Sequence, residues 1–296
     1  MIQEVDFHSH TVNSDGTLTA TELMELAKKQ GIKALALTDH DTTSGLDEAL
    51  AAGKKLGVEL IPGIEISVVY DSGTMHILGH FIDHRSMKLQ EAIRGLQDDR
   101  NDRNPQIIEK LNALGIEITL KEVERESGGG QASPQNTGGQ VGRPHFARVL
   151  VKKGHVKDFE EAFKKYLGKG APAYVDKRRI SPEEGIRMIR EAGGIAVLAH
   201  PKTLNAKSSQ EFNVVLDHLV ASGLGGIEAY SSCQDEKEAG QFRAAGEERN
   251  IFITGGSDFH GDNKSDVELG NMGRWARLSY GLVKAMRDHL NLKGLS

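Results

Sequence analysis

Five separated stretches of this 296-residue chain put histidines or carboxylates directly after apolar, strand-like runs: Asp6-Phe-His8-Ser-His10, Thr38-Asp39-His40-Asp41, Gly63-Ile-Glu65, Ala199-His200-Pro201 and Ser257-Asp258-Phe-His260. Residues just past parallel strands share one rim of a barrel. The spacing therefore predicts that distant side chains converge on one pocket. A pocket of imidazoles and carboxylates suits transition-metal ions. His8 and His10 lie two apart, so in extended chain both rings face the same side. Asp6, beside them, is the residue type that commonly accepts a ligand histidine's second ring N–H.

Glu65 stands inside the run Leu60-Ile-Pro-Gly-Ile64 and Ile66. A carboxylate buried there costs several kcal/mol unless a cation meets it. His76 lies in a second apolar run, Met75-His-Ile-Leu78, and Asp15 follows the first strand closely enough to join. Each of these residues alone could be a turn, a cap or a chance surface histidine. Their joint position at strand ends points to a metal centre. His218 and His289 fall in helical stretches and read as surface or packing residues. His84 reads as a turn residue, and His80 as a supporting residue at most.

The elements that must position these residues alternate. Strand-like runs cover Glu4–His8, Ile32–Thr38, Val58–Val69 (interrupted at Pro62-Gly63), Thr74–Ile82, Ile195–Ala199, Gly226–Tyr230 and Ile251–Thr254. Helical patterns separate most of them, with Thr19/Glu22 and Ser181-Pro182-Glu-Glu184 as start signals and Gly31 as a stop. The turn Asp71-Ser-Gly73 should pair the third and fourth strands as a hairpin. The pattern is α/β: a distorted (β/α)7 TIM-like barrel, with an open doubly wound sheet as the lesser alternative because no glycine-rich dinucleotide loop follows the first strand. Between Ser86 and Gly115 the chain is charged and helical, with Pro105 expected to restart the helix. Gly128 to Gly139 reads as a long loop. Short helices follow near Phe146–Lys153 and Asp158–Leu167. The barrel is thus expected from residues 1–84 and 176–296, with a mainly helical insertion, a substrate-binding lid, over 85–175.

Composition narrows the class. No run of about 18 apolar residues exists, so no membrane partner is expected. No basic-then-apolar leader precedes Ile2-Gln-Glu-Val5, and Cys233 is the only cysteine, which fits a reducing cytoplasm. The net charge of −5 argues against a general nucleic-acid binder. Between Arg143 and Arg179, however, eleven Lys or Arg residues stand against four Asp or Glu. That face is either a solvated helical surface or a basic lip for an anionic substrate.

These motifs, in this order from Asp6 to His260, resemble the PHP (polymerase and histidinol phosphatase) family. Within it the chain is most similar to stand-alone phosphoesterases that carry a helical insertion and act on nucleotides and short oligonucleotides. The segment Gly142-Arg143-Pro144-His145-Phe-Ala147 resembles that subgroup's phosphate-contacting segment. The resemblance implies three divalent ions. His8, His10, Glu65 and Asp258 would hold the first. Glu65, bridging, would hold the second with His76 and His200. Asp15, His40 and His260 would hold the third. No ligand position is missing.

The expected activity is hydrolysis of nucleotide phosphate esters by a water activated between the ions. The substrate would be a 3',5'-nucleoside bisphosphate, leaving the 5'-monophosphate, or a short oligoribonucleotide. Arg143 and His145 are the expected substrate-binding and catalytic side chains, Asp39 a further catalytic candidate, and Tyr230 a substrate contact on the same rim. Mixed imidazole and carboxylate ligands suit Mn²⁺, then Fe²⁺ or Zn²⁺. No stable protein partner is expected. Competing readings are a phosphatase of a small phosphomonoester such as histidinol phosphate, a metal-dependent amidohydrolase, and a non-catalytic or proofreading-type metal-binding module.

Overall fold

A computed structural model describes residues 3–129, 141–176, 180–276 and 278–292. Seven strands among them form one sheet in chain order: β1 (Val5–Asp6), β2 (Ala34–Leu37), β3 (Glu59–Val68), β4 (Met75–His80), β5 (Ile195–Leu198), β6 (Gly226–Ser231) and β7 (Phe252–Gly256). All neighbours are parallel except β4, which runs antiparallel to both β3 and β5. The sheet curls until its edges meet. Phe7 donates to the Gly255 carbonyl at 3.1 Å, Asp258 donates to the His8 carbonyl at 3.0 Å, and Ser9 bridges Phe259. The result is a nearly closed seven-stranded TIM-like barrel.

Its strands are buried on both faces, which is why they read as continuous apolar runs. In β2 the alternation is clear. Ala34 and Ala36 point into the barrel beside Val5, Phe7, Ile61 and Val197. Leu35 and Leu37 point outward to the helices. Those helices are α1 (Ala20–Gln30), α2 (Leu46–Leu56), α3 (Met87–Ala113), α4 (Leu120–Glu124), α5 (Arg143–Lys152), α6 (Phe159–Ala162), α7 (Pro182–Glu191), α8 (Ser209–Ala221), α9 (Glu236–Glu247) and α10 (Tyr280–His289). The expected start of α1 is present: Thr19 and Glu22 cap each other's backbone, and Gly31 ends the helix in a left-handed conformation. Ser181 and Glu184 do the same for α7.

Three local readings change. Pro62 does not interrupt β3. Residues 59–62 pair with β2 and residues 63–68 with β4, so the missing N–H falls where the strand changes partner. Pro105 does not restart a helix either; α3 runs unbroken through it. Burial of Arg103, Asn104, Ile107 and Leu111 around the proline holds the helix together. The third concerns the glycine-rich loop: Gly128 and Gly129 close a π-helical turn, Arg125–Gly129, while residues 130–140 lie outside the described residues.

The segment between β4 and α7 has an apolar core of its own. Ile107, Leu111, Ile116, Val123, Phe146, Leu150 and Leu167 form it. The first half of α3, through Leu89, Ile93 and Leu96, belongs instead to the barrel's core. Lys177, Arg178 and Arg179 of the basic stretch lie outside the described residues. Half of its eight remaining cations are paired with carboxylates. Lys152 meets Glu126, Lys153 meets Glu122, Lys157 meets Asp158 and Lys165 meets Glu161. This is a solvated helical face rather than a field of uncompensated charge.

Candidate metal centre

All nine residues singled out as ligands reach one rim of the barrel. His8 and His10 leave β1 in extended form. Ser9 between them turns the other way, its hydroxyl donating to the Ala36 carbonyl at 2.6 Å. His40 leaves β2 and bridges Glu65 on β3. His200 leaves β5, and Asp258 and His260 leave β7. His76 arrives differently. It is the second residue of the reversed strand β4, opposite Ser67, so the beginning of that strand shares the rim with the ends of the others.

The geometry centres on Glu65, which is 1% exposed. Its Oε2 lies 3.3 Å from His8 Nε2, 3.2 Å from His10 Nε2 and 3.1 Å from His40 Nδ1. Its Oε1 lies 2.6 Å from His76 Nδ1 and 3.0 Å from His200 Nε2. Asp258 Oδ1 is 3.4 Å from each of His8 Nε2, His10 Nε2 and His260 Nδ1. Asp15 stands 3.2 Å from His260 Nε2 and 3.8 Å from His40 Nε2. Three groups of donors are compact enough to hold an ion: His8, His10 and Glu65; His40, Glu65 and His76; and His10, Asp15, His40 and His260.

Two observations show that this donor set fits cations. Although three ring nitrogens lie within 3.3 Å of Glu65 Oε2, that oxygen accepts no hydrogen bond, and His40 Nδ1 likewise makes none. His8 Nε2 also sits 3.1 Å from His10 Nε2. Ring nitrogens and a buried carboxylate oxygen crowded at this range call for positive charge among them.

The electrostatics agree. Burial alone would raise the Glu65 carboxyl, but the facing imidazoles of His40, His76 and His8 together outweigh it and hold it well below the usual range. Asp15 and Asp258 are depressed in the same way, by His260 and His40 and by Lys264 and His8 respectively. Burial opposes a charged His10 too, yet the facing carboxylates of Asp258 and Glu65 raise it to about 9. His8 is also raised, by Glu228, Glu65 and Asp258 acting against burial. Burial wins at His40, which falls to about 3 and stays neutral.

A ring of buried carboxylates supports the ligands. Asp6 accepts from the backbone of His8, Ser257 and Gly270 and from the Ser257 hydroxyl, so it ties β1 to the exit of β7. The ring N–H of His8 goes elsewhere, to Glu228 Oε1 at 3.0 Å. The expectation that Asp6 orients a ligand ring is thereby corrected. Asp39 accepts from Thr11 N, Thr11 Oγ1 and Ser14 Oγ at 2.8, 2.6 and 2.5 Å. With both oxygens so engaged, it braces the His10–Asp15 turn. Asp41 Oδ2 takes both Nε and Nη2 of Arg100 on α3, the former at 3.0 Å, and Lys264 holds Asp258 Oδ2 at 2.5 Å.

Sequence reading missed Glu228, Arg100 and Lys264, and it singled out the stretch holding Asp41 without giving that residue a role. Glu228 carried the same signal as Glu65, a carboxylate inside an apolar strand. The Asp41–Arg100 pair joins residues too far apart in sequence for any local pattern to connect.

A cavity of about 200 Å³ opens beside the cluster. Asp15, His40 and His76 line it from the barrel, and Arg100, Arg103, Arg143, Pro144 and Phe163 line it from the helical segment. Arg143 starts α5, with Nη1 3.3 Å from the Leu167 carbonyl and its guanidinium over the Tyr174 ring. His145 is buried, and its Nδ1 accepts from Gly142 N at 2.9 Å. Burial lowers it to about 4, so the ring is neutral.

Tyr230 does not join the site. It is 8% exposed and packs in the barrel's inner apolar cluster. A bulge between Glu228 and Tyr230 breaks the alternation that would have put both on one face. His80 donates to the Phe7 carbonyl from Nε2 at 2.8 Å, directly before His8, and so sits under the ligands. His218 pairs with Glu183 at the surface, and His289 packs on Phe252. His84 bonds Asp47.

Comparison with known proteins agrees with this geometry. Residues 6–168 match the PHP domain. A 3',5'-nucleoside bisphosphate phosphatase of Chromobacterium violaceum is 34% identical over 267 residues, covering 90% of each chain. A 5'-3' exoribonuclease of Haemophilus influenzae is 36% identical over 88% of this chain and 91% of its own. Among solved structures, a protein of Bifidobacterium adolescentis described as a metal-dependent phosphoesterase superimposes with a TM-score of 0.85 at 28% identity, covering 99% of this chain and 98% of that one. A Chromobacterium violaceum protein described as an amidohydrolase, with bound sulfate and no metal, gives 0.82 at 32% identity over 96% of both. The barrel, its rim and these relatives define a hydrolase of phosphoric ester bonds. The chain belongs to the PHP domain family.

Proposed function

We propose that the chain hydrolyses phosphate esters of nucleotides at a three-ion centre. It would convert a 3',5'-nucleoside bisphosphate to the 5'-monophosphate, or shorten small oligoribonucleotides. The observation that carries this reading is the cavity in which ligand residues Asp15, His40 and His76 face Arg100, Arg103 and Arg143. The relatives named for those two activities support the substrate class.

His8, His10, Glu65 and Asp258 would hold one ion, Glu65, His76 and His200 a second, and Asp15, His40 and His260 a third. Divalent ions supply Lewis-acid charge and an activated water for attack on phosphorus. Imidazole and carboxylate donors without thiolate suit manganese, with iron or zinc next. Arg143 offers a planar fork matched to phosphoryl oxygens. Gly142 N–H occupies His145 Nδ1, so the neutral ring presents Nε2–H and can donate to a phosphate oxygen. Asp39 works through Ser14 and the His10–Asp15 turn, as a positioning residue. The single cysteine and the nucleotide substrate suit a cytoplasmic enzyme. No helix among the described residues is long and apolar enough to cross a membrane.

Phosphate release would be measured from nucleoside mono- and bisphosphates, short RNA and histidinol phosphate, with Mn²⁺ and with chelator. Chelation and Asp258→Ala should abolish turnover of the nucleotides. Full activity in either case removes the metal assignment, and turnover of histidinol phosphate alone removes the nucleotide one.

A further inference from the structure

The carboxylate of Glu228 touches two ligand histidines from opposite sides. It lies in β6 and is fully buried. Its Oε1 is 3.0 Å from His8 Nδ1, and its Oε2 accepts from the backbone N–H of His200 at 2.7 Å. His8 presents Nε2 to Glu65 Oε2, while His200 presents Nε2 to Glu65 Oε1. The two residues that Glu228 holds therefore serve the two different oxygens of the one carboxylate expected to bridge.

Both holds have a physical consequence. A neutral imidazole carries one N–H. Donating it from Nδ1 to Glu228 leaves the His8 Nε2 lone pair aimed into the cluster. His200 has a φ of 25°, a conformation that residues with a side chain rarely adopt and that persists only when the surroundings enforce it. The bond from its N–H to Glu228, with Thr203 Oγ1 3.0 Å from its Nδ1, supplies that enforcement. Space closes the arrangement. A Cβ at Gly256 would stand 2.1 Å from His8 Cβ and 2.8 Å from Glu228 Oε1, so β7 packs directly against both members of the pair.

We propose that Glu228 is the positioning residue of the paired ion sites: it selects Nε2 as the ligating atom of His8, locks the His200 backbone, and so couples the two sites that share Glu65. The inference rests on the metal reading above. It assigns no contact with substrate to Glu228.

Glu228→Gln tests it, because the amide keeps the shape and offers only one acceptor. The His200 backbone N–H cannot change its role and keeps the amide oxygen. The amide NH₂ then faces His8 Nδ1 and forces the proton onto Nε2, the tautomer that cannot bind an ion. Calorimetric titration with Mn²⁺ should show the paired sites weakened about ten- to hundredfold, the usual effect of losing such a partner. The site built on Asp15 and His260 should keep its affinity. In zinc-loaded protein, ¹⁵N–¹H spectra should show the His8 proton on Nδ1 in the parent and on Nε2 in the variant. The thermal midpoint of the chelated proteins should match within a few degrees.

Unchanged affinity at the paired sites, or a His8 proton still on Nδ1, overturns the proposal. So does equal weakening of all three sites with a collapsed midpoint, which would mark a merely structural role. If the parent binds no ions at all, the metal reading itself fails, and that result is distinct from the others.

Discussion

Ion binding at this rim should tighten steeply between pH 7 and pH 9. His10 is raised to about 9 by Asp258 and Glu65, against the pull of burial. Without ions it therefore carries a proton at pH 7, and that proton must leave before its Nε2 lone pair can bind a metal. Two pH units of competition correspond to about a hundredfold in affinity, or about 2.7 kcal/mol. His8, raised in the same direction, must release a second proton. Calorimetry with Mn²⁺ at pH 7, 8 and 9, without oxygen and in buffers of different ionisation enthalpy, reads both the Kd and the protons released. The tightest site should gain at least tenfold per pH unit and release one to two protons per ion at pH 7. An affinity flat across this window, with no proton release, refutes the reasoning. The linkage runs the other way in chelated protein. Its gain from His10 is complete below about pH 6.5, the unfolded value, and is lost as pH rises through about 9. The midpoint gap between loaded and chelated protein should widen toward alkaline pH.

Three further outcomes follow from single sites. Chelated protein should lose stability between pH 6.5 and 4, because burial depresses His80 and His145 to about 4 while the unfolded chain takes up protons from 6.5 downward; each contributes up to about 3 kcal/mol, read from urea unfolding at several pH values. Arg100→Met leaves Asp41 buried without its cation and should cost about 3–5 kcal/mol in the same assay, whereas a loss under 1 kcal/mol would deny the pair its structural part. Arg143→Ala should raise KM for a nucleoside bisphosphate about tenfold or more with little change in metal content, since its fork lines the cavity from the helical segment.

The convergence of these side chains on one rim was legible because most of them violate the pattern around them. An acid at position 65 or a histidine at 200 has no reason to end or interrupt a buried strand unless something there needs it. The helix caps were legible for the same reason: Thr19 with Glu22, and Ser181 with Glu184, act within a few residues. What escaped depends on pairs made in space. Pro62 looked like a break because nothing local says that β3 changes neighbours at that residue. The basic stretch looked uncompensated because Glu122 and Glu126, which neutralise Lys153 and Lys152, lie outside the window in which the charges were counted. Tyr230 looked like a rim residue because a bulge adds one position without leaving a mark in the sequence. Glu228 was readable by the logic that found Glu65, but no motif frames it.

The reversed strand has one more consequence. Because β4 runs against its neighbours, it delivers the chain to the end of the barrel away from the ions. From there α3 climbs back, 27 residues or about 40 Å of continuous rod. Its lower flank is mortared into the barrel wall by Leu89, Ile93 and Leu96, while its upper flank carries Ile107 and Leu111 into a different core. Arg100 and Arg103 stand at the junction. The mouth of the site thus hangs from a beam that is also masonry. Excising residues 85–175 would unroof the cavity and breach the barrel's own side, whereas a graft spliced above Arg103 could exchange the roof and leave the walls standing.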